Sequence, residues 1–172
     1  MAPYDIRVFG DPVLATPCKD VANIDGDLKR LADDMIVTMY EAPGVGLAAN
    51  QIGVQKRIFV YDIQDDSGPH TVINPRIVER SGEWEYEEGC LSVPGLSWPI
   101  VRPAHVHLTG WDLDGRELSI EADELLARVF LHETDHLDGY LLLERLERGQ
   151  KKQALRTLRN RNAGLSLEGE RR

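Results

Sequence analysis

The stretch Leu131-His132-Glu133-Thr134-Asp135-His136-Leu137 constrains this chain more than any other. It contains His-Glu-x-x-His, and positions i and i+4 of an α-helix share one face. His132 and His136 can therefore hold one metal ion between them. Glu133 stands beside the first of them, where its carboxylate can reach a water on that metal. The surroundings sharpen the requirement. Residues 122–138 predict a helix, with Leu126, Val129, Glu133 and His136 on one face and Leu125, Phe130 and Leu137 as apolar neighbours. Gly139 suits its C-terminal end. A helix this hydrophobic is buried, and buried imidazoles and a buried carboxylate need partners. The rest of the chain must supply the elements that cover it.

Those elements are legible in part. Leu28, Leu31, Met35 and Met39 form one apolar stripe of a helix that starts at Asp25, capped by Asp25 or Asp27 and ended by Pro43 and Gly44. In Gly44-Val45-Gly46-Leu47-Ala48-Ala49-Asn50-Gln51-Ile52-Gly53, small residues leave the backbone open to close approach by another chain. Arg57–Tyr61 reads as a buried strand. Thr71–Ile73 reads as a second, stopped by Asn74-Pro75, and a third begins at Ile77. Glu83, Glu85 and Glu87 alternate with Trp84 and Tyr86, a strand that runs into Glu88-Gly89-Cys90. After Pro94 and Pro99, Val106, Leu108 and Trp111 alternate, and Asp114-Gly115 turns the chain into Glu117–Ile120. A third helix covers about 146–161, with Leu155 and Leu158 facing inward, and 163–172 reads as a frayed polar tail.

The 172 residues suit one domain, 1–172, able to bury roughly 70% of the surface its unfolded chain exposes. No run of about 18 apolar residues exists to span a membrane, and Met1–Asp5 has neither part of a signal peptide. The cytoplasm is the expected compartment. The net charge of −9 argues against DNA as a partner. Residues 144–172 nevertheless carry +5, against −14 for the rest. A basic C-terminal helix on an acidic body suggests that only this segment approaches an anionic surface.

Two histidines leave a metal site incomplete, because a catalytic site wants three protein ligands and one open position. Of the two cysteines, Cys90 is the better third ligand: it follows Gly89 at a strand end, whereas Cys18, between Pro17 and Lys19, shows no ligand pattern. One sulfur and two imidazoles suit zinc or ferrous iron. His105 and His107 share a strand face, but no third ligand lies near them in sequence. Two other readings compete. A His-Glu-x-x-His endopeptidase takes a downstream third ligand, for which only Glu144 and Glu147 are available. A binding module with a structural metal needs four protein ligands, and only Cys18 adds a second sulfur.

Over nearly its whole length the chain resembles the peptide deformylase family. Three motifs carry the resemblance in order: Gly44-Val45-Gly46-Leu47-Ala48-Ala49-Asn50-Gln51, Glu88-Gly89-Cys90-Leu91-Ser92, and His132-Glu133-Thr134-Asp135-His136. Gly10-Asp11-Pro12-Val13-Leu14 is similar to the family's opening. Leu131 departs from the Gln that many members have there. The resemblance implies an α+β fold, antiparallel β-sheets packed around the central metal-binding helix, with a C-terminal helix. It implies an enzyme that removes the formyl group from the N-terminal formyl-methionine of nascent peptides; a monomer is expected. One divalent metal ion per chain is implied, ferrous iron in cells, with zinc, nickel or cobalt able to replace it, held by Cys90, His132 and His136. Metal-bound hydroxide would attack the formyl carbon with Glu133 as general acid and base. The Leu91 N–H and the Gln51 amide would stabilise the oxyanion. Val45, Gly46 and Gly89 would pair with the substrate backbone, while Val45, Leu125, Val129 and His132 line a methionine pocket. Asp135, paired with Arg102, and Glu88 would orient the site. The roles of Arg128, Asp135 and Glu88, the resident metal, the oligomeric state, the preferred residues beyond the first and contact of the basic helix with the ribosome stay open.

Overall fold

A computed structural model describes residues 3–162; the expected frayed tail, 163–172, lies outside them. Among the described residues, seven strands and three α-helices follow in the order α1 Gly26–Glu41, β1 Gly46–Ala48, β2 Ile58–Tyr61, β3 His70–Ser81, β4 Trp84–Cys90, β5 Val93–Arg102, β6 His105–Trp111, β7 Glu117–Asp123, α2 Glu124–Leu137 and α3 Arg148–Asn162. Strands β1-β2-β3-β6-β7 form one antiparallel sheet, and β4-β5 form a separate two-stranded ribbon. This is the expected α+β class.

The large sheet is buried on both faces at its β1-β2 end, which explains the uninterrupted apolar run of β2. Phe59 and Tyr61 point to α2, where they meet Phe130, Val129 and Leu137. Ile58 and Val60 point the other way and pack on Leu28, Met35 and Met39 of α1. The Asp25 side chain accepts from the Leu28 N–H at 2.9 Å, capping α1 as its sequence predicts. A third core holds the ribbon: Val93 and Ile100 pack with Leu142, Leu143 and Leu146 and with Ala154 and Leu158 of α3. Leu155, expected inward with Leu158, is only half-buried against this core, and Ala154 takes the buried place.

Three local readings change. Asn74-Pro75 does not stop β3; it forms a bulge inside one long strand. Asn74 takes a left-handed φ of 51° there, a conformation Asn tolerates. Its amide accepts from the Val21 N–H and donates to the Val21 carbonyl, replacing the pairing that the bulge breaks. The segment with Pro94 and Pro99 is strand β5, because a two-stranded ribbon leaves an edge where a missing N–H costs nothing. Trp111 is exposed, because its odd position places it on the face of β6 opposite Val106 and Leu108.

Candidate active site

Helix α2 enters the core with ten of its fourteen residues buried. Its spacing sets His132 and His136 side by side, Nε2 to Nε2 at 3.1 Å. The end of β4 brings Cys90 to them, Sγ 3.3 Å from His136 Nε2. The three ligand atoms lie within 4.8 Å of one another, the only such group among the described residues. Neither rival ligand set assembles. Cys18 lies elsewhere, its N–H donating to the Leu137 carbonyl. Glu144 is exposed and pairs with Lys151 at 2.9 Å.

The residues fit a divalent cation. Each of the three offers a lone pair to one point, and the imidazoles are driven apart in charge. Burial opposes a charge on His132, but hydrogen bonds to Cys90 and Glu88 overcome it and lift its pKa well above the usual value. Burial, and the charges of His132 and Arg102, push His136 well below it. Two imidazoles this close cannot both be protonated, whereas one cation among the three donors satisfies all of them.

Charged side chains orient these ligands. His132 Nδ1 donates to Glu88 Oε1 at 3.0 Å, which turns Nε2 toward the donor cluster. Glu88 also accepts from Arg102 Nε at 3.1 Å. Burial works to raise the Glu88 carboxyl, but His132 and Arg102 outweigh it and hold it down at about 2. Arg102 continues to Asp135 at 2.7 Å, and Arg145 grips the same carboxylate through two nitrogens at 2.9 and 2.7 Å. The expected Asp135–Arg102 pair is present, and Arg145 is an addition to it.

Glu133 is buried, and its Oε2 has no hydrogen-bond partner among the described residues. Burial pushes its carboxyl up to about 7, against the pull of His132 and Arg102 and with help from Glu88. Its Oε1 lies over Gly46, where an added Cβ would stand 2.6 Å away. Gln51 is fixed by the Ala48 N–H, which donates to its Oε1 at 3.0 Å. This aims Nε2 at Ser92 Oγ, 3.1 Å away, and toward Cys90 Sγ at 3.8 Å. A cleft of about 770 Å3 opens over the cluster, lined by Val45, Gly46, Gln51, Gly89, Leu91, Leu125, Val129, His132 and Glu133, with Tyr86 and Arg128 at one wall. Every residue proposed from sequence for binding or catalysis borders this cleft or the donor cluster beneath it.

Some neighbours have no role that the sequence assigns, although Ser92 and Asn50 lie within the motifs. The Ser92 N–H donates to Cys90 Sγ at 3.4 Å, and Asn50 Nδ2 donates to the His136 carbonyl at 2.5 Å. Arg128 turns away from solvent and donates to the carbonyls of Ile100 and Trp84. His105 and His107 sit apart, over a surface hollow of about 420 Å3 on the outer face of β3, β6 and β7. Their strands place Glu79 and Glu121 opposite His107.

With this geometry in view, the family model described as polypeptide deformylase matches residues 3–152. The chain belongs to the peptide deformylase family. It is 50% identical over 145 residues to the peptide deformylase of Clostridium botulinum (strain Alaska E43 / Type E3), covering 84% of this chain and 97% of that one. It is 46% identical over 159 residues to that of Acidothermus cellulolyticus, covering 92% and 87%. A crystal structure of a peptide deformylase from Legionella pneumophila superposes with a TM-score of 0.87 at 40% identity, covering 93% and 95% of the two chains. One from Synechococcus elongatus in complex with actinonin superposes at 0.86, also at 40% identity, covering 91% and 86%. The family membership agrees with the motifs, and no described helix is long and apolar enough to cross a membrane.

Proposed function

We propose that the protein hydrolyses the formyl group from the N-terminal formyl-methionine of nascent peptides, releasing formate and a free amine. The observation that carries this reading is the convergence of Cys90, His132 and His136 beside a buried Glu133, whose Oε2 has no partner among the described residues, at the foot of an apolar cleft. Cys90, His132 and His136 would hold a divalent ion, ferrous iron in cells with zinc, nickel or cobalt in its place, which would supply Lewis acidity and acidify a water. Glu133 takes the proton of the attacking water and returns it to the departing amine nitrogen. A carboxyl held at about 7 suits both directions of transfer near neutral pH. Gln51 Nε2 and the Leu91 N–H donate to the oxygen that becomes negative as the formyl carbon turns tetrahedral. Val45, Gly46 and Gly89 take the substrate backbone as an added strand. Val45, Leu125, Val129 and His132 receive the methionine side chain. Residues 1–172 act as one catalytic domain, as a monomer in the cytoplasm, with the basic face of α3 turned to the ribosome.

The test is substrate choice. Formyl-Met-Ala peptides are expected to release formate, and the acetylated analogue to react at least about a hundredfold more slowly, a difference of roughly 2.7 kcal/mol. The extra methyl meets a wall at Gly89, Cys90 and Gln51, and overpacking of this kind costs about 1–3 kcal/mol in protein cores. Cleavage of internal bonds in an unstructured protein, without formate, would overturn the assignment in favour of a peptidase.

A further inference from the structure

The three metal-ligand candidates do not come from one packed unit. His132 and His136 stand on α2, whose apolar side belongs to the core it shares with the large sheet. Cys90 ends the β4-β5 ribbon, whose apolar side belongs to the separate core it shares with α3. Something other than a common hydrophobic core must hold the sulfur in register with the imidazoles. Close packing sets positions inside each unit, but the seam between units is set by polar contacts.

Arg128 crosses that seam. It leaves α2 one turn before His132 and is 3% exposed. Its Nη1 donates to the Ile100 carbonyl on β5 at 3.0 Å, and its Nη2 to the Trp84 carbonyl on β4 at 2.5 Å. The rings of Trp84 and Tyr86 stack at 4.9 Å, and the guanidinium lies 5.5 and 5.8 Å from their centroids. Its charge is answered by Glu88, 3.8 Å away, the same carboxylate that orients His132. A planar fork can hold one carbonyl on each strand at once; an ammonium is a point charge and cannot span both in a fixed geometry.

We propose that Arg128 is a positioning residue for the metal centre, fastening both strands of the ribbon to α2 and so fixing where Cys90 stands relative to His132 and His136. This rests on the reading of those three residues as the metal ligands. It does not make Arg128 a metal ligand, although the side chain borders the cleft. Its effect passes through the ribbon, so it falls on the sulfur side of the site and leaves the two imidazoles on their helix.

The experiment uses the full chain loaded with cobalt, compared with Arg128→Met, Arg128→Lys and a core variant remote from the ribbon, Leu28→Ala. Two quantities are read: the sulfur-to-cobalt charge-transfer absorption and the rate of metal release to a chelator. Arg128→Met is expected to weaken or shift the absorption and to release metal at least about tenfold faster. Arg128→Lys should fall between it and the parent. Leu28→Ala should lower the melting temperature while keeping release within about twofold, as expected of distant sites. A folded Arg128→Met with parental absorption and release overturns the proposal. If Arg128→Met does not fold, parental values for Arg128→Lys overturn it alone. A parent protein that binds cobalt without the sulfur band would overturn the ligand assignment, and this inference with it.

Discussion

The Glu88 carboxylate accepts from His132 Nδ1 at 3.0 Å while its other oxygen, Oε2, accepts from Arg102 at 3.1 Å. Glu88→Gln preserves the shape but turns one acceptor into a donor, which then faces either the imidazole N–H or a guanidinium. It also leaves Arg102 and Arg128 without their shared counter-charge. The expected result is a loss of metal affinity of about 10–100-fold, measured by competition with a chelator. Breaking a buried charge pair on one side costs about 3–5 kcal/mol, so the melting temperature should fall by roughly 6–20 °C. Unchanged affinity would show that Glu88 does not orient His132.

Gly46 is the residue over which Glu133 lies. An Ala there would place its Cβ 2.6 Å from Oε1, and a clash of that size displaces the carboxylate. Misplacement by about 1 Å can cost on the order of a hundredfold in rate. Gly46→Ala is therefore expected to cut formate release by about that factor while holding one metal per chain. Glu133→Gln, which removes the proton carrier itself, should cost about 10²–10⁴-fold, also with metal retained. Loss of metal in Glu133→Gln would mean that the carboxylate is a ligand and not a proton carrier.

The centre of the molecule was legible because its signals are local. The i, i+4 spacing of His132 and His136, the apolar stripe of α1 and its Asp25 cap each lie within one element, and each stands as read. What could not be read depends on partners distant in sequence. The Asn74 bulge is stabilised by Val21, 53 positions away. Strand β5 tolerates Pro94 and Pro99 because of its place in a two-stranded ribbon, which no alternation in the segment reveals. The direction of Arg128 stays open in the sequence, because the aromatic pair and the two carbonyls that bury it belong to strands of the ribbon. The neighbours of His107, Glu79 and Glu121, come from other strands and are set across from it by the sheet register.

Cys18 should be chemically silent. Burial pushes its thiol up to about 11, although Arg57 and the Asn50 N–H partly offset it. At pH 8 only about one molecule in a thousand then carries the thiolate, the reactive form. With metal removed, iodoacetamide at pH 8 is expected to label Cys90 and leave Cys18 intact, with Cys18 labelling rising as the pH approaches 11. The sign for stability follows from the same shift. The folded thiol binds its proton more tightly than the unfolded one, whose pKa is about 8.5. The contribution is complete below that value and is lost as the pH rises toward 11. Urea midpoints at pH 8 and pH 10.5 should therefore converge between the parent and Cys18→Ala at the higher pH. Rapid labelling of Cys18 at pH 8 would contradict the burial.

Helix α3 presents its charges away from its core contacts. Ala154 and Leu158 face the ribbon, while Lys152, Arg156 and Arg159 lie exposed on the opposite side, one turn apart. Lys151 pairs with Glu144. The proposed contact with ribosomal RNA or protein thus falls on exposed cations of this face, among them Lys152, Arg156 and Arg159, none of which has an ion-pair partner among the described residues. Deleting the helix would be a poor test, because it would strip Ala154 and Leu158 from the core that holds the ribbon. Charge reversal at Lys152, Arg156 and Arg159 to Glu leaves that core alone, and formate release from short peptides should stay at the parental level. Co-sedimentation with ribosomes should be lost, and the parent's binding should weaken steeply between 50 and 200 mM salt, as displaced counterions require. Reversal without any loss of co-sedimentation would remove α3 from the ribosome contact.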